Sequence, residues 1–408
     1  MRLALFCHSL LSDFRQGNAH FLRGVVTELA ARGHDVRTFE PASSWSGDEP
    51  ASEAGAEALA EVGHVYPALA PIRYDLGSLD LDQALADVDL VIVHAWNDPE
   101  LARRIVAHRA RGATYRALFH DTHHAAVTDP ESIARCEPGR FDGVLAFGRS
   151  LRDVYLARGF AERIFVWHEA ADPRVFTPRR ARLDRDLVWI GDHDGGERSA
   201  EIDELLVAPV RSLGLTARVH GARYPTEARA ALGRSGIELA GWIPSHLVPD
   251  AFARARATVH IARRPYATSL PGIPTIRIFE ALACGVPLVA ARFRDDEELF
   301  RPGVDFLAVE TGREMTRALG ALLSSPERAT AMAEHGLATI LARHTCAHRV
   351  DELLAIHASL GAPSSLVNER HVRSPHPDPS PGGKGARICE DLPPLPPGEG
   401  DRGGEGAR

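Results

Sequence analysis

Residues 270–291 read LPGIPTIRIFEALACGVPLVAA. A turn built on Pro271, Gly272 and Pro274 opens into a short helix from Thr275, Gly285 stops that helix, and Val286 onward is apolar enough for a buried strand. At 100° per residue Ile276, Ile278, Phe279, Leu282 and Ala283 fill one arc, while Arg277 and Glu280 fall about 60° apart on the other. The first N–H groups and the helix dipole at Thr275 and Ile276 favour an anion, and Glu280 is suited to accept hydrogen bonds from sugar hydroxyls. The residues alone leave open an i,i+3 ion pair between Arg277 and Glu280 on a wet helix face.

A helix running straight into a buried strand is half of an α/β unit, and the same alternation extends to both sides. Strands are predicted at 187–190, 217–220, 237–240, 258–261, 287–291 and 306–309. Helices are predicted between them at 197–212, 225–233, 246–255, 275–284, 314–324 and 326–342. Upstream of an arginine-rich linker at 178–185, strands are predicted at 2–8, 36–39, 89–94, 115–120, 143–147 and 164–167. A helix starts near Asn18 and stops at Gly33, another covers 98–111, and 41–69 reads as loop and helix. The fold class is α/β: two Rossmann-like doubly wound parallel-sheet domains facing a cleft, over 1–178 and 186–345. A further amphipathic helix at 346–360 is placed to pack back on the first domain. Residues 361–408, rich in Pro, Gly and charge, read as a disordered tail that cannot bury enough surface to fold.

Composition narrows the function classes. A chain of 408 residues is long for one core, and 44% hydrophobic content is that of a globular protein. The net charge of -8, with no basic stripe, argues against nucleic acid as a partner. There is no apolar run long enough for a transmembrane segment, and residues 1–9 lack a basic start and a cleavage site, so a cytoplasmic location is expected. Five scattered cysteines indicate neither a disulfide framework nor a zinc site. The single lysine is Lys384 in the tail, so any phosphate-binding cation in the folded part must be arginine.

In open α/β sheets ligands meet the carboxyl ends of strands, and His8, His94, His120, His168, His220 and His260 all stand there. This predicts a cleft rich in imidazole. The densest cluster is His120-Asp121-Thr122-His123-His124; without HExxH, and with the Asp between the histidines, it reads as hydrogen-bonding or general-acid histidine, His120 first and His123 beside it, rather than as metal ligands. Asp192-His193-Asp194 superficially matches a metal-binding DxD. The run Gly191 to Arg198, with His193 inside it, instead reads as a phosphate loop opening a helix, with Arg198 or the helix N-terminus taking negative charge. Neither domain carries GxGxxG after its first strand, which disfavours a dehydrogenase.

The chain resembles GT-B glycosyltransferases of the group-1 type, and within them the spore-maturation-protein-like branch. The resemblance covers about residues 1–360. It is carried by Gly17-Asn18-Ala19-His20, Gly33-His34-Asp35-Val36, the 120–124 cluster, Gly191 to Arg198, Gly272 to Pro287, and His344-Thr345-Cys346-Ala347-His348-Arg349. It implies a metal-independent, retaining transfer from a nucleotide-diphospho-sugar bound by the second domain to a carbohydrate or other small acceptor on the first, with no cofactor. Gly17, Asn18 and His20 fall on the acceptor side. Carried over by motif, Glu280 is similar to the second glutamate of E-x7-E, which holds ribose hydroxyls. Thr275 and Ile276 match the backbone that meets the diphosphate, and Trp242 and Ile243 the base-contacting loop. The first acid of that pattern falls at Gly272, a departure near the transferred sugar. A nucleotide-sugar epimerase and a non-catalytic nucleotide- or sugar-binding protein are the alternatives.

Overall fold

The computed structural model describes residues 1–11, 17–42 and 61–361. The tail assignment, and most of the segment read as loop and helix before Leu69, lie outside those residues. The first domain holds seven strands: β1 (Arg2–Phe6), β2 (Asp35–Pro41), β3 (Ile72–Tyr74), β4 (Leu90–His94), β5 (Arg116–Asp121), β6 (Gly143–Ala146) and β7 (Ile164–Val166). They form one parallel sheet in the order β3-β2-β1-β4-β5-β6-β7. The second domain holds β8 (Arg185–Ile190), β9 (Ala217–His220), β10 (Ile237–Gly241), β11 (Ala255–Ile261), β12 (Leu288–Ala291) and β13 (Leu307–Val309). Their order is β10-β9-β8-β11-β12-β13, again all parallel.

Both sheets are covered on two faces, which is why their central strands are nearly unbroken apolar runs: all of Leu90-Val91-Ile92-Val93-His94 is buried. In each sheet the direction of winding reverses beside the first strand, between β1 and β4 and between β8 and β11, and a crevice opens there at the carboxyl ends. Residues of the second domain complete the packing of the first. Leu270 and Ile273 join the core under β4, β5 and β6, and the helix Ile276–Ala283 shares one core with the helix Ala19–Ala31. The crevices therefore face each other across a packed contact.

The closing helix, Cys346–Ser359, returns to the first domain. Cys346 N–H donates to Ala171 O at 2.9 Å, Trp167 Nε1 donates to the Arg349 carbonyl at 2.8 Å, and Arg32 pairs with Asp351 at 2.5 Å. Gly24 makes the close approach possible: a Cβ there would lie 2.4 Å from Cys346 Sγ.

Two elements differ from the sequence expectation. The edge strand β3 is three residues long with Ile72 exposed, too short to carry a period-2 pattern. The continuous helix expected at 197–212 is broken into Ser199–Ile202, a wider π turn at Asp203–Val207, and Ala208–Leu213. Pro209 has no N–H to give to the regular ladder, so the turn before it loosens. Among the described residues no helix is long and apolar enough to cross a membrane.

Candidate active site

A cavity lies between the two sets of strand ends, and nine of the thirteen strands send a residue to it. The first domain contributes Gly17 and Asn18 before the helix Ala19–Ala31, Trp96 after β4, Thr122 and His123 after β5, Phe147 after β6 and Glu169 after β7. The second contributes Ile190, Gly191, Asp192, Asp194 and Arg198 after β8, His220 and Gly221 after β9, and Trp242 and Ile243 after β10. Arg263 and Tyr266 follow β11, and Thr275, Ile276 and Arg277 open the helix before β12.

The second-domain wall is cationic. Asp194 is ion-paired with Arg263 Nε at 2.9 Å and Arg198 Nη2 at 3.4 Å, and also with Arg223. Asp192 takes the Ala222 N–H at 2.8 Å and Arg223 Nη2 at 3.1 Å. Both carboxylates of the Asp192-His193-Asp194 motif are thus engaged by arginine, and Asp194 adopts a φ of 55°, followed by Gly195 and Gly196 at 57° and 102°. That left-handed run turns the chain sharply enough to bring Arg198 back under Trp189, whose ring lies 5.8 Å from the guanidinium. Burial lowers the Arg198 pKa against the opposing pull of Asp194. Its Nε is buried without a hydrogen-bond partner, while the residue lines the cavity. Gly221 lets the next loop pass: a Cβ would sit 2.0 Å from the Gly191 carbonyl oxygen.

The helix Ile276–Ala283 presents its N-terminus to the same space. Thr275 stands at the N-cap, yet its hydroxyl makes no bond to the helix's first N–H groups and lies 2.9 Å from His260 Nε2 instead. Glu169 lines the cavity from the opposite domain. It is buried; desolvation, followed by the neighbouring Glu280, pushes its pKa up to about 8 against the opposing pull of the Ile276 backbone and Arg277.

Glu280 itself is absent from the wall. It is fully buried, accepts from His20 Nδ1 at 3.0 Å, and pairs with Arg277. The Asp172 N–H donates to His20 Nε2 at 3.0 Å, so the ring proton sits on Nδ1 and points at Glu280. The reading of His20 as facing an acceptor is corrected: its ring stacks on Phe176 at 3.8 Å and ties the first helix, the segment after β7 and the second domain together.

The expected imidazole-rich cleft is also corrected. Of the histidines at strand ends, only His220 reaches the cavity, joined by His123 from the loop after β5. His120 is fully buried between Phe21, His94 and Trp167, with no hydrogen-bond partner on either nitrogen, and burial lowers its pKa to about 3. Its place inside β5, in register with His94 and Leu145, keeps it behind the wall. His123 is held at about 3 by burial and then by His124, Arg263 and His94, so it is a neutral hydrogen-bonding group at pH 7. Gly272 and His193 do not line the cavity either. Gly272 takes a φ of 82° against the Arg294 carbonyl, and His193 packs on Tyr224.

The remaining sequence-predicted residues, Arg198, Gly191, Trp242, Ile243, Thr275, Ile276, Arg277, Gly17 and Asn18, all meet at the cavity. Asn18 Nδ2 donates to Thr122 Oγ1 at 2.5 Å and lies 3.0 Å from His94 Nε2, leaving its Oδ1 unpartnered. Sequence reasoning missed Glu169, Arg263 and Tyr266. The first two follow strands directly, the same signal that singled out the histidines; Tyr266 stands in a short helix, Arg264–Thr268, that no pattern announced.

Solved structures share this architecture over most of the chain. Sucrose-phosphate synthase from Thermosynechococcus elongatus superposes with a TM-score of 0.64 at 14% identity, covering 88% of this chain and 98% of that one. HepE of Anabaena, solved with UDP and glucose, gives 0.64 at 15%, covering 88% and 100%. The fold is GT-B. A third GT-B structure, a DNA-modifying β-glucosyltransferase solved with and without its substrate uridine diphosphoglucose, gives 0.55 at 14%, covering 89% and 100%. Residues 198–355, most of the second GT-B domain and the closing helix, match the sequence profile of a family described as glycosyl transferase-like. No curated protein matches the sequence significantly.

Proposed function

We propose that the chain transfers a sugar from a nucleoside-diphospho-sugar to the hydroxyl of a small acceptor, most simply a carbohydrate. The observation that carries this is the uncapped N-terminus of the helix Ile276–Ala283 meeting Arg198 and Arg263 at an interdomain cavity. Helix N–H groups and guanidiniums in a desolvated cleft stabilise the negative charge that grows on a leaving phosphate. On this reading Arg198, Arg263 and the Thr275–Arg277 backbone hold the diphosphate without a metal ion. Trp242 and Ile243 flank the base, and Asn18, Trp96 and His123 form the acceptor wall. Retention of configuration, and membership of the spore-maturation-protein-like branch, belong to the same proposal and rest on the resemblance of the 272–287 block.

A second reading, a nucleotide-binding protein without turnover, is favoured by one feature: Gly272 puts no carboxyl beside the transferred sugar. Both readings expect a nucleoside diphosphate to bind. A calorimetric screen of UDP, GDP, ADP and CDP against the full chain is expected to show one-to-one binding of at least one of them. No binding by any of them refutes both. Consumption of the matching nucleotide sugar only when an acceptor is present then selects the transferase, and consumption without acceptor points to hydrolysis or epimerisation.

A further inference from the structure

We propose that the first-domain wall of the cavity is a subsite for an uncharged pyranose, stacked on the Trp96 indole with ring hydroxyls on the Asn18 amide and the His123 imidazole. The acceptor is then a neutral sugar rather than a phosphorylated or acidic one. The inference rests on the transferase reading above and adds to it the chemical class of the acceptor and the residues that select it.

Asn18 is built as if a partner were missing. It stands at the N-cap of the helix Ala19–Ala31, where its side-chain oxygen is well suited to take a free helix N–H, yet it makes no capping bond. The side chain is drawn off instead: Nδ2 donates to Thr122 Oγ1 at 2.5 Å and lies 3.0 Å from His94 Nε2. The residue is 7% exposed and lines the cavity, and the oxygen that forgoes the cap, Oδ1, has no partner. A buried carbonyl oxygen left without a donor is costly, and a ligand hydroxyl in the cavity satisfies it.

Trp96 follows β4 on the same wall and is half-buried. Its backbone N–H is directed at His94 Nδ1 at 3.4 Å, so one imidazole steadies both Asn18 and the start of the Trp96 loop. The His123 ring stands perpendicular to the indole with centroids 5.1 Å apart, and the two rings make a corner. Among the described residues neither the indole N–H nor a His123 ring nitrogen has a hydrogen-bond partner. The wall therefore offers an aromatic face, an indole donor, an amide acceptor and an imidazole that both donates and accepts. That is the complement of a pyranose, which carries C–H bonds across its ring face and hydroxyls at its rim.

Charge decides which pyranose. Among the described residues the first domain sends no arginine or lysine to the cavity; its one charged group there is the Glu169 carboxyl. Burial and the neighbouring His124 and Arg263 keep His123 neutral. The arginines at the cavity, Arg198, Arg263 and Arg277, all belong to the second domain, where the donor's own phosphates require them. A phosphate or carboxylate on the acceptor would be desolvated against this wall without a counter-charge.

The test is a ligand-observed NMR titration of the full chain, with and without the nucleoside diphosphate selected by calorimetry. The probes are the methyl glucosides, galactosides and mannosides of both anomeric forms, each beside its 6-phosphate. At least one neutral glycoside is expected to bind, and its 6-phosphate to bind about tenfold more weakly or not at all. Trp96→Ala is expected to weaken the neutral glycoside by about tenfold, and Trp96→Phe, which keeps a ring face and loses the N–H, by less. Asn18→Ala is expected to weaken it by about three- to tenfold. Should Trp96→Ala not fold, Trp96→Phe and Asn18→Ala carry the test. A 6-phosphate that binds as tightly as its parent, or neutral binding that the variants leave unchanged, overturns the inference. So does a chain that holds the diphosphate and takes no neutral glycoside, although the donor reading then stands. Glycoside binding that is lost with Trp96, in a chain that binds no diphosphate, keeps the subsite and refutes the donor reading. Failure of both ligands overturns both.

Discussion

Arg198→Ala lowers affinity for the nucleoside diphosphate, and turnover of the nucleotide sugar, by about 10²–10³-fold, the loss typical of removing one preorganised donor from a developing oxyanion. The reasoning is local. Arg198 lies in the wall after β8, stacks on the Trp189 ring, and shares the Asp194 carboxylate with Arg223 and Arg263. Alanine leaves Asp194 still paired with Arg223 and Arg263, so the loop keeps its charge balance and the effect appears in binding rather than in folding. Arg198→Lys recovers only part of the loss, because an ammonium cannot offer two parallel donors while stacked on an indole. Titration of the diphosphate into the three proteins measures it, and equal affinities would remove Arg198 from the donor site.

Glu280→Ala produces the largest change in stability. The carboxylate is fully buried and holds both the His20 Nδ1–H of the first domain and Arg277 of its own helix, so removing it strands the buried His20 donor at the domain contact and takes away the carboxylate that pairs with Arg277. Breaking a buried pair in this way costs about 3–5 kcal/mol, read as a drop in the urea midpoint of the protein without nucleotide. His20→Ala shows a similar loss, and the double variant is no worse than the sum of the two less a substantial coupling energy. Were Glu280 only a ribose ligand, the ligand-free protein would unfold unchanged and the whole effect would appear in binding. The structure makes it first a tie between domains; ribose contact would require Arg277 to let go of it.

The fold was legible because a doubly wound domain writes itself twice, in apolar runs that must be buried on both faces and in the Gly-terminated helices between them. All six strands of the second sheet stand where their runs predict, and so do six of the seven in the first. What escaped was short or edge-exposed: β3, the helix Arg264–Thr268, and the π turn before Pro209. The site was legible only in part. The rule that ligands meet strand ends placed Arg198 at the cavity, the helix N-terminus placed Thr275 and Ile276, and the family resemblance placed Trp242, but none of these separates a side chain at the wall from its neighbour one layer beneath. His120 and His123 differ by three positions and by that layer. His20 and Glu280 were each read as facing a ligand, and they face each other, a contact between positions 260 apart that no local pattern records. Glu169 was passed over beside His168, although the two share a strand end. His168 turns to Glu297 at 3.1 Å while Glu169 takes the cavity.

The central claim is that a diphosphate sits against the donor-side helix in the cleft. A crystal structure of the protein soaked with UDP, or with the diphosphate selected by calorimetry, tests it directly. The account predicts phosphate density within hydrogen-bonding distance of the Ile276 N–H and the Arg198 guanidinium, with the base beside Trp242. Density for the diphosphate elsewhere, with the Ile276 N–H and Arg198 untouched, would contradict it.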